Sequence, residues 1–413
     1  MTQLDDIRAD LLRLPSEDLL PALRRDQDLT IADIDDVGVL SSTSAVARGR
    51  LTDGRRLLIP AILSQGHWRR AEAADAMSMS ALGSGEPFAI TRIAEVPHLD
   101  PLQERALAVD MSNDVRVIDN ALVAKWQLFA EPGSLAGPTV VEHLVAAGFH
   151  DMPPPIAHMA WKGDLVVSFA GYLDGAQDGW DWMVGDVVDH LTGDTAPPSW
   201  PATLGHLTGL MHAAAATPTQ VIPSPRSTAS LTFLAEHYER LLAAAGGLDR
   251  EMQEALSPWL PRFEGACAFL AAAQAIEVQP IHGDLHAGQF LRHSSGIVVN
   301  DFDGNPLLPS QERGLPGPTA YDLAGVLRTL DHVAIVAARR ADTSGSLTAA
   351  RAWAHDARER ALQAYAAVEG VPQLDAGVLA ALESLSPLHE AVYAATYLPR
   401  WRYVPLAVLS GGW

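Results

Sequence analysis

Lysine is almost missing from this chain. It occurs only at Lys125 and Lys162, so nearly all of the 29 basic residues are arginine. Arginine presents a planar fork to carboxylates and phosphates, whereas lysine presents a compact point charge. A lysine retained in such a sequence is therefore a candidate for a point-charge contact with phosphate. Basic charge as a whole is also short: 50 Asp and Glu stand against those 29, a formal net charge of -21. That argues against a nucleic-acid binder, which needs a basic face to neutralise phosphates, and leans toward a cationic small molecule as ligand. Cysteine is reduced to Cys267. It cannot form an internal disulfide, which fits a reducing compartment, and its Ala-rich setting reads as a buried, inert thiol. No run of about 18 apolar residues appears, so no membrane span is expected. The acidic start MTQLDDIRADLLRLPSEDLL lacks the layout of a signal peptide. The expectation is a cytoplasmic monomer that meets small molecules, with neither nucleic acid nor membrane as partner.

What is present is a chain of 413 residues, 48% hydrophobic and 19% charged, which is too long for one small core. Residues 1–87 read as a helical start followed by two strands meeting at a turn over Thr52, Asp53 and Gly54, with MSMSALGSGEP as a boundary loop. Residues 88–173 read as β-rich, with strand-like runs RALAVDM, VRVID, ALVAKWQLF and DLVVSFAGYL. Between them PTVVEHLVAAGF has the period of a helix, with Gly148 as its cap. Lys162 falls in the turn WKGD, a solvated position. Residues 174–413 read as mostly helical, from WDWMVGDVVDHL through AYDLAGVLRTLDHVAIVAARRA to LHEAVYAATYLPRW.

Inside that helical part lies HGDLHAGQFLRHSSGIVVNDFDGNP, running from His282 to Pro306. It crowds His282, Asp284, His286, Gln289, Asn300, Asp301 and Asp303 between apolar runs. PIHGDLH reads as a strand leaving into a loop, SSG as a turn, and GIVVNDFD as a buried strand ending in acids, so a hairpin would bring Asp284 and Asp301 together. Two carboxylates and the Gln289 amide at strand ends suit a hard divalent cation with oxygen ligands, and Asp303 could reach a second metal or a substrate group. Unpartnered buried acids are too costly to be purely structural. His282 is expected to brace the loop, and Asn300 to pad the strand end. One other reading stays open at this point. His282, Asp284 and His286 alternate, and on an extended strand they would face one way, as in a metal-dependent hydrolase.

HGDLHAGQ followed by DFDGNP resembles the aminoglycoside-phosphotransferase-like kinases, and within them the maltokinases and the related actinobacterial kinases that phosphorylate glucosamine. The resemblance covers most of the chain after about residue 88. It extends to AVDMSND with ALVAKWQLFAEPG, to AQDGW, LGHLTGLMHA and YDLAGVLRTLD, and to the closing YLPRWRYVPL. It implies an α+β, bilobal, protein-kinase-like fold with an N-terminal cap subdomain (1–87), a β-rich nucleotide-binding subdomain (88–173) and a helical lobe (174–413). It implies ATP as phosphoryl donor and Mg2+ as cofactor. By resemblance, Asp284 orients and deprotonates the acceptor hydroxyl, Gln289 and Asp301 hold Mg2+ with Asp303 beside them, and Lys125 contacts nucleotide phosphates with Glu142 as its ion-pair partner. Ser112 and Asn113 sit in the turn whose backbone N–H groups would cradle phosphates, and the adenine is expected against Ser168, Ala170 and Tyr172. DFDGNP stands where maltokinases read DFEGEP, and TYLPRW where they carry an Asn-Arg-Pro segment. Both differences favour an amino sugar over maltose or another neutral sugar. The acceptor pocket is then expected to use Asp284, Asp303, Glu390 and Trp401. A catalytically silent binding module of the same fold is the other reading.

Overall fold

The computed structural model describes residues 3–20, 30–99, 103–107, 113–193, 195–343 and 345–411. The chain divides into two compact units. The first is Met1–Glu142, Pro153–Asp174 and Ser310–Glu312; the second is His143–Met152, Gly175–Pro309 and Arg313–Trp413.

The first unit holds two antiparallel sheets, each with its own core. In one, β1 (Ile31–Val39), β2 (Ser44–Leu51), β3 (Arg56–Ser64) and β4 (His67–Arg70) lie in sequence order. The turn between β2 and β3 contains Gly54 at φ +89°, a left-handed conformation that glycine adopts at little cost. Helix α1 (Gln3–Arg13) buries Ile7 and Leu11 in the core that this sheet forms with Ile34, Leu57, Ile59 and Trp68. The other sheet runs β5-β9-β10-β8-β7-β6, built from β5 (Phe88–Arg92), β6 (Glu104–Ala106), β7 (Asp114–Ile118), β8 (Leu122–Trp126), β9 (Pro155–Trp161) and β10 (Asp164–Gly171). Leu122, Ala124 and Trp126 alternate into its core with Val167 and Phe169, while Val123 and Lys125 stay half-buried on the opposite face. Lys162 does occupy the β9–β10 turn, exposed and ion-paired with Asp36.

The segment MSMSALGSGEP is not the surface loop that its Ser, Gly and Pro content suggests. It folds into a short helix, α2 (Ser78–Leu82), with Ser78 fully buried. The Ser78 hydroxyl donates to Glu104 Oε2 (2.8 Å) and accepts from Trp126 Nε1 (2.9 Å). A residue type common in loops here satisfies two buried polar partners. Helix α3 (Ala136–Ala146) appears where the PTVVEHLVAAGF pattern puts it, closed by Gly148 at φ +89°.

The second unit is helical: α4 (Gly179–Leu191), α5 (Trp200–Ala215), α6 (Thr232–Ala245), α7 (Arg250–Leu256), α8 (Leu260–Ala272), α9 (Ser310–Arg313, its last residue only), α10 (Thr319–Ala341), α11 (Ser346–Ala366), α12 (Ala376–Thr396) and α13 (Tyr403–Leu409). Helix α10 is buried along nearly its whole length. Two small two-stranded sheets complete the unit: β11 (Ser227–Ala229) pairs with the distant β12 (Ile276–Val278), and β13 (Phe290–His293) forms a hairpin with β14 (Gly296–Val299). Cys267 lies buried on α8, and burial pushes its thiol up to about 11. It is therefore protonated and inert at neutral pH. No described helix is long and apolar enough to cross a membrane.

Candidate active site

The polar cluster is carried by a hairpin, but not the one its sequence suggests. The paired strands are β13 and β14, in register from Phe290↔Val299 to His293↔Gly296. No strand forms over PIHGDLH. There the backbone turns at Gly283, φ +79°, and its N–H groups go to a carboxylate instead of a neighbouring strand. That carboxylate is Asp322, near the start of α10 and fully buried. Its Oδ2 accepts from His282 N (2.8 Å) and its Oδ1 from Gly283 N (2.8 Å). His212 of α5 stands on the same carboxylate, Nε2 to Oδ2 at 3.0 Å, with its Nδ1 3.0 Å from the Tyr365 hydroxyl. Burial alone would raise the Asp322 carboxyl. The His212 hydrogen bond and charge, His282 and the Gly283 N–H outweigh it and hold the group below its ordinary value.

His282 braces the loop, as expected. Its Nε2 donates to the Asn300 carbonyl (3.0 Å), its Nδ1 accepts from Asp284 N (3.2 Å), and its ring lies 4.8 Å from that of Phe302. Both ring nitrogens are thus committed to backbone, which removes His282 as a metal ligand and, with the missing strand, the alternating His-Asp-His arrangement of a hydrolase. His286 is half-buried beside Asp284, Nε2 to Oδ2 at 3.7 Å. Its Nδ1 accepts from Gly288 N (3.1 Å), and burial lowers its pKa to about 4, so the ring is neutral. The Gln289 amide stands 3.3 Å from His286 Nε2, and Asn300 N donates to the Gln289 carbonyl (2.8 Å). Asp301 follows with φ +63°, an unusual conformation for a non-glycine residue and one that turns the chain sharply at the end of β14.

Asp284 is the electrostatic centre. Burial raises its carboxyl well above the ordinary range; Arg328 opposes this, and Asp301, Glu390 and Asp322 push it further up. Asp284 and Asp301 thus bring two carboxylates, hard oxygen donors, close enough to repel each other, a donor set that suits a divalent cation such as Mg2+. Among the described residues no three His, Cys, Asp or Glu side chains converge as a metal cage. Asp303 is half-buried in the same loop. Asn305, buried, donates from Nδ2 to the Tyr321 hydroxyl (2.9 Å) and accepts from Leu307 N (2.9 Å), so the GNP turn is tied to the first turn of α10.

Two glycines let helices reach the loop. A Cβ on Gly325 of α10 would stand 2.1 Å from the Leu285 carbonyl oxygen, and one on Gly179 of α4 would stand 1.9 Å from that of Ala287. Backbone on both sides must therefore move to admit a methyl group. Gly325→Ala is expected to lower kcat by about 10²-fold, since a shift of about 1 Å in a catalytic group is that costly, and to lower Tm as well. Wild-type kcat in the folded variant would show that α10 does not set the loop's position.

Glu390 of α12 is half-buried and ion-paired with Arg328 of α10, Oε1 to Nε at 3.0 Å, with His332 Nδ1 3.9 Å from its other oxygen. It is not a surface acid. Trp401 packs on Trp180 (centroids 5.1 Å apart) and on Tyr403 (6.3 Å). Trp180 in turn lies against Gly288 of the loop. Neither Trp180 nor Arg328 was singled out by the sequence. Their signal was position alone, an aromatic just inside a helix start and an arginine within an apolar helix.

In the first unit the sequence-selected residues share one face of the six-stranded sheet. Cross-strand register puts Val115, Lys125, Ser168, His158 and Thr91 in one row, and Val123 opposite Ala170. Lys125, Ser168, Ala170 and Tyr172 are all half-buried. Tyr172 O–H lies 3.1 Å from the Arg105 guanidinium. Glu142 on α3 has its carboxylate 3.4 Å from His158 Nδ1. Burial raises Glu142 and lowers His158. The Asn113 side chain accepts from Leu128 N (3.1 Å) and so braces the end of β8. Ser112 lies outside the described residues.

No family model matches the chain. A glucosamine kinase of Streptacidiphilus jiangxiensis is 34% identical over 321 residues, covering 73% of this chain and 72% of the relative. One from Mycolicibacterium smegmatis is 31% identical over 388 residues, covering 87% and 96%. Among solved structures, a glucosamine kinase in complex with glucosamine, ADP and inorganic phosphate matches with a TM-score of 0.78 at 27% identity, covering 100% of this chain and 99% of that one. A glucosamine kinase in crystal form A matches at 0.81 and 28% identity, covering 99% and 97%.

Proposed function

The chain belongs to the glucosamine kinase family, and from that premise we propose how its residues divide the work. The activity is ATP-dependent transfer of a phosphoryl group to a hydroxyl of glucosamine, on an aminoglycoside-phosphotransferase-like fold. We assign the acceptor as the 6-hydroxyl, the primary and least hindered one. The observation that carries the assignment of roles is the Asp284 carboxylate, held on a loop that Asp322 anchors, beside Asp301.

Asp284 orients the acceptor hydroxyl and takes its proton. Transfer of a phosphoryl group needs positioning and charge neutralisation more than covalent help, so a base whose proton arrives late suffices. Asp301 and Gln289 would hold Mg2+, with Asp303 at hand. When bound, the ion supplies positive charge to the phosphate oxygens. Neutral His286, through its contact with the Gln289 amide, fixes that amide's orientation. Lys125 gives the nucleotide phosphates their point charge, with Glu142 directing it, and the half-buried surface of Ser168, Ala170 and Tyr172 receives the base.

The ammonium group of glucosamine calls for a carboxylate. Glu390 and Asp303 are the candidates, with Trp401 against the sugar's apolar face. Because Arg328 holds one oxygen of Glu390, the other, on the His332 side, is the one that would face the amine. The test compares glucosamine, N-acetylglucosamine and glucose in wild type and in Glu390→Gln. Wild type is expected to favour glucosamine by kcat/KM at least about tenfold, the worth of one good charged hydrogen bond, and Glu390→Gln to narrow that preference. Equal kcat/KM for all three sugars in wild type would sink amine recognition, and an unchanged preference in Glu390→Gln would move the role to Asp303.

A further inference from the structure

The first unit contains a buried ionic network that phosphoryl transfer as described does not use. Arg116 of β7 and Glu104 of β6 have fully buried side chains, 3.7 Å apart. Arg116 also meets Asp114 at 2.9 Å, and Arg70 of β4 meets the same Asp114 oxygen at 2.7 Å. The two arginines balance the two acids. The Arg116 guanidinium donates further to the Ala71 carbonyl (2.8 Å) and lies over the Trp126 ring (5.8 Å). Glu104 accepts from both the N–H (2.7 Å) and the hydroxyl (2.8 Å) of Ser78.

Desolvating four charges is expensive, and well-packed apolar residues would often stabilise a core as well or better. What such a network supplies is a single geometry, because every member must be satisfied together. That geometry converges on one place. Trp126 is the residue after Lys125 on β8, and it points into the core while Lys125 stands on the opposite face. Trp126 is held by the Ser78 hydroxyl and covered by Arg116. β7, which carries Asp114 and Arg116, pairs with β8 so that Asp114 is opposite Trp126 and Val115 opposite Lys125.

We propose that Ser78, Glu104 and Arg116 are positioning residues for nucleotide binding: with Trp126 they clamp β8 from behind and set the height and direction of Lys125. The residues ahead of β5, from Arg70 to Ser78, thereby become part of the machinery that places the phosphate-binding lysine. This rests on the reading that Lys125 contacts the nucleotide phosphates.

The experiment measures KM for ATP, KM for glucosamine, kcat and ADP affinity by calorimetry in Ser78→Ala, Glu104→Gln and Trp126→Phe, with Lys125→Ala alongside. Trp126→Phe leaves all four charges in place and removes the indole N–H together with part of the ring, and Ser78→Ala removes only a hydroxyl, so both remain informative if Glu104→Gln folds poorly. The expected result is a rise of about tenfold in KM for ATP and a matching loss of ADP affinity, from displacement of one contact, with KM for glucosamine unchanged. A fall in Tm with both KM values at wild type would overturn the proposal, since that is all a purely structural network predicts. If Lys125→Ala itself leaves KM for ATP unchanged, the reading of Lys125 fails, and the positioning proposal falls with it.

Discussion

Asp284→Asn is expected to lower kcat by roughly 10²-fold or more, the range a general base supplies, while ADP and glucosamine still bind. The amide keeps the shape of the carboxylate and loses its ability to accept a proton. The same substitution should leave Tm unchanged or raise it. Asp284 is half-buried; desolvation and the charges of Asp301, Glu390 and Asp322 push its carboxyl toward the neutral form, and Arg328 opposes them. An ionised group there is costly to the fold, and removing its charge relieves that cost. Loss of turnover with retained or improved stability is the signature of a functional residue held in an unfavourable place. Near-normal kcat in the variant, or a collapse in Tm equal to that of an anchor residue, would contradict the assignment.

Asp322→Ala should behave in the opposite way, with activity and stability lost together. Two backbone N–H groups, those of His282 and Gly283, would be left buried without an acceptor, and His212 would lose its partner. Breaking a buried, hydrogen-bonded carboxylate in this way costs on the order of 3–5 kcal/mol, and the freed loop no longer holds Asp284 in place, so kcat should fall by at least about 10²-fold. Denaturant unfolding and kcat measured on the same preparation decide it. Wild-type stability would mean that the loop has another anchor.

These two aspartates show how far the sequence could be read. Asp284 and Asp301 lie in a dense polar motif between apolar runs, a pattern with few structural explanations, and residue types in that pattern point to their chemistry. Asp322 is one acid in the first turn of a long helix, the place where solvated acids commonly sit to complement the helix dipole. Only the structure shows that it faces inward to loop backbone. PIHGDLH misleads for the same reason: its apolar start resembles a strand, but its N–H groups bond to a side chain far along the chain, and strand patterns carry no record of that. Ser78 misleads in the other direction, as a loop-type residue serving buried partners. Lys125 stands out by scarcity alone. Arg328 and Trp180 depend on what three-dimensional packing brings beside the loop, which no local pattern encodes.

The Asp322 anchor also fixes when the enzyme becomes an enzyme. His282 and Asp322 lie 40 residues apart in sequence, His212 and Asp322 lie 110 apart, and His212 and Tyr365 lie 153 apart. Contacts of such span carry a loop-closure entropy cost that local contacts do not. The helices can form and the core can collapse while the loop that carries Asp284 is still unset. A chain without α10 and α11 would hold Asp284, Gln289 and Asp301 and still lack Asp322 and Tyr365, the groups that brace the loop. The loop's arrangement is thus complete only when α5, α10 and α11 have met around Asp322.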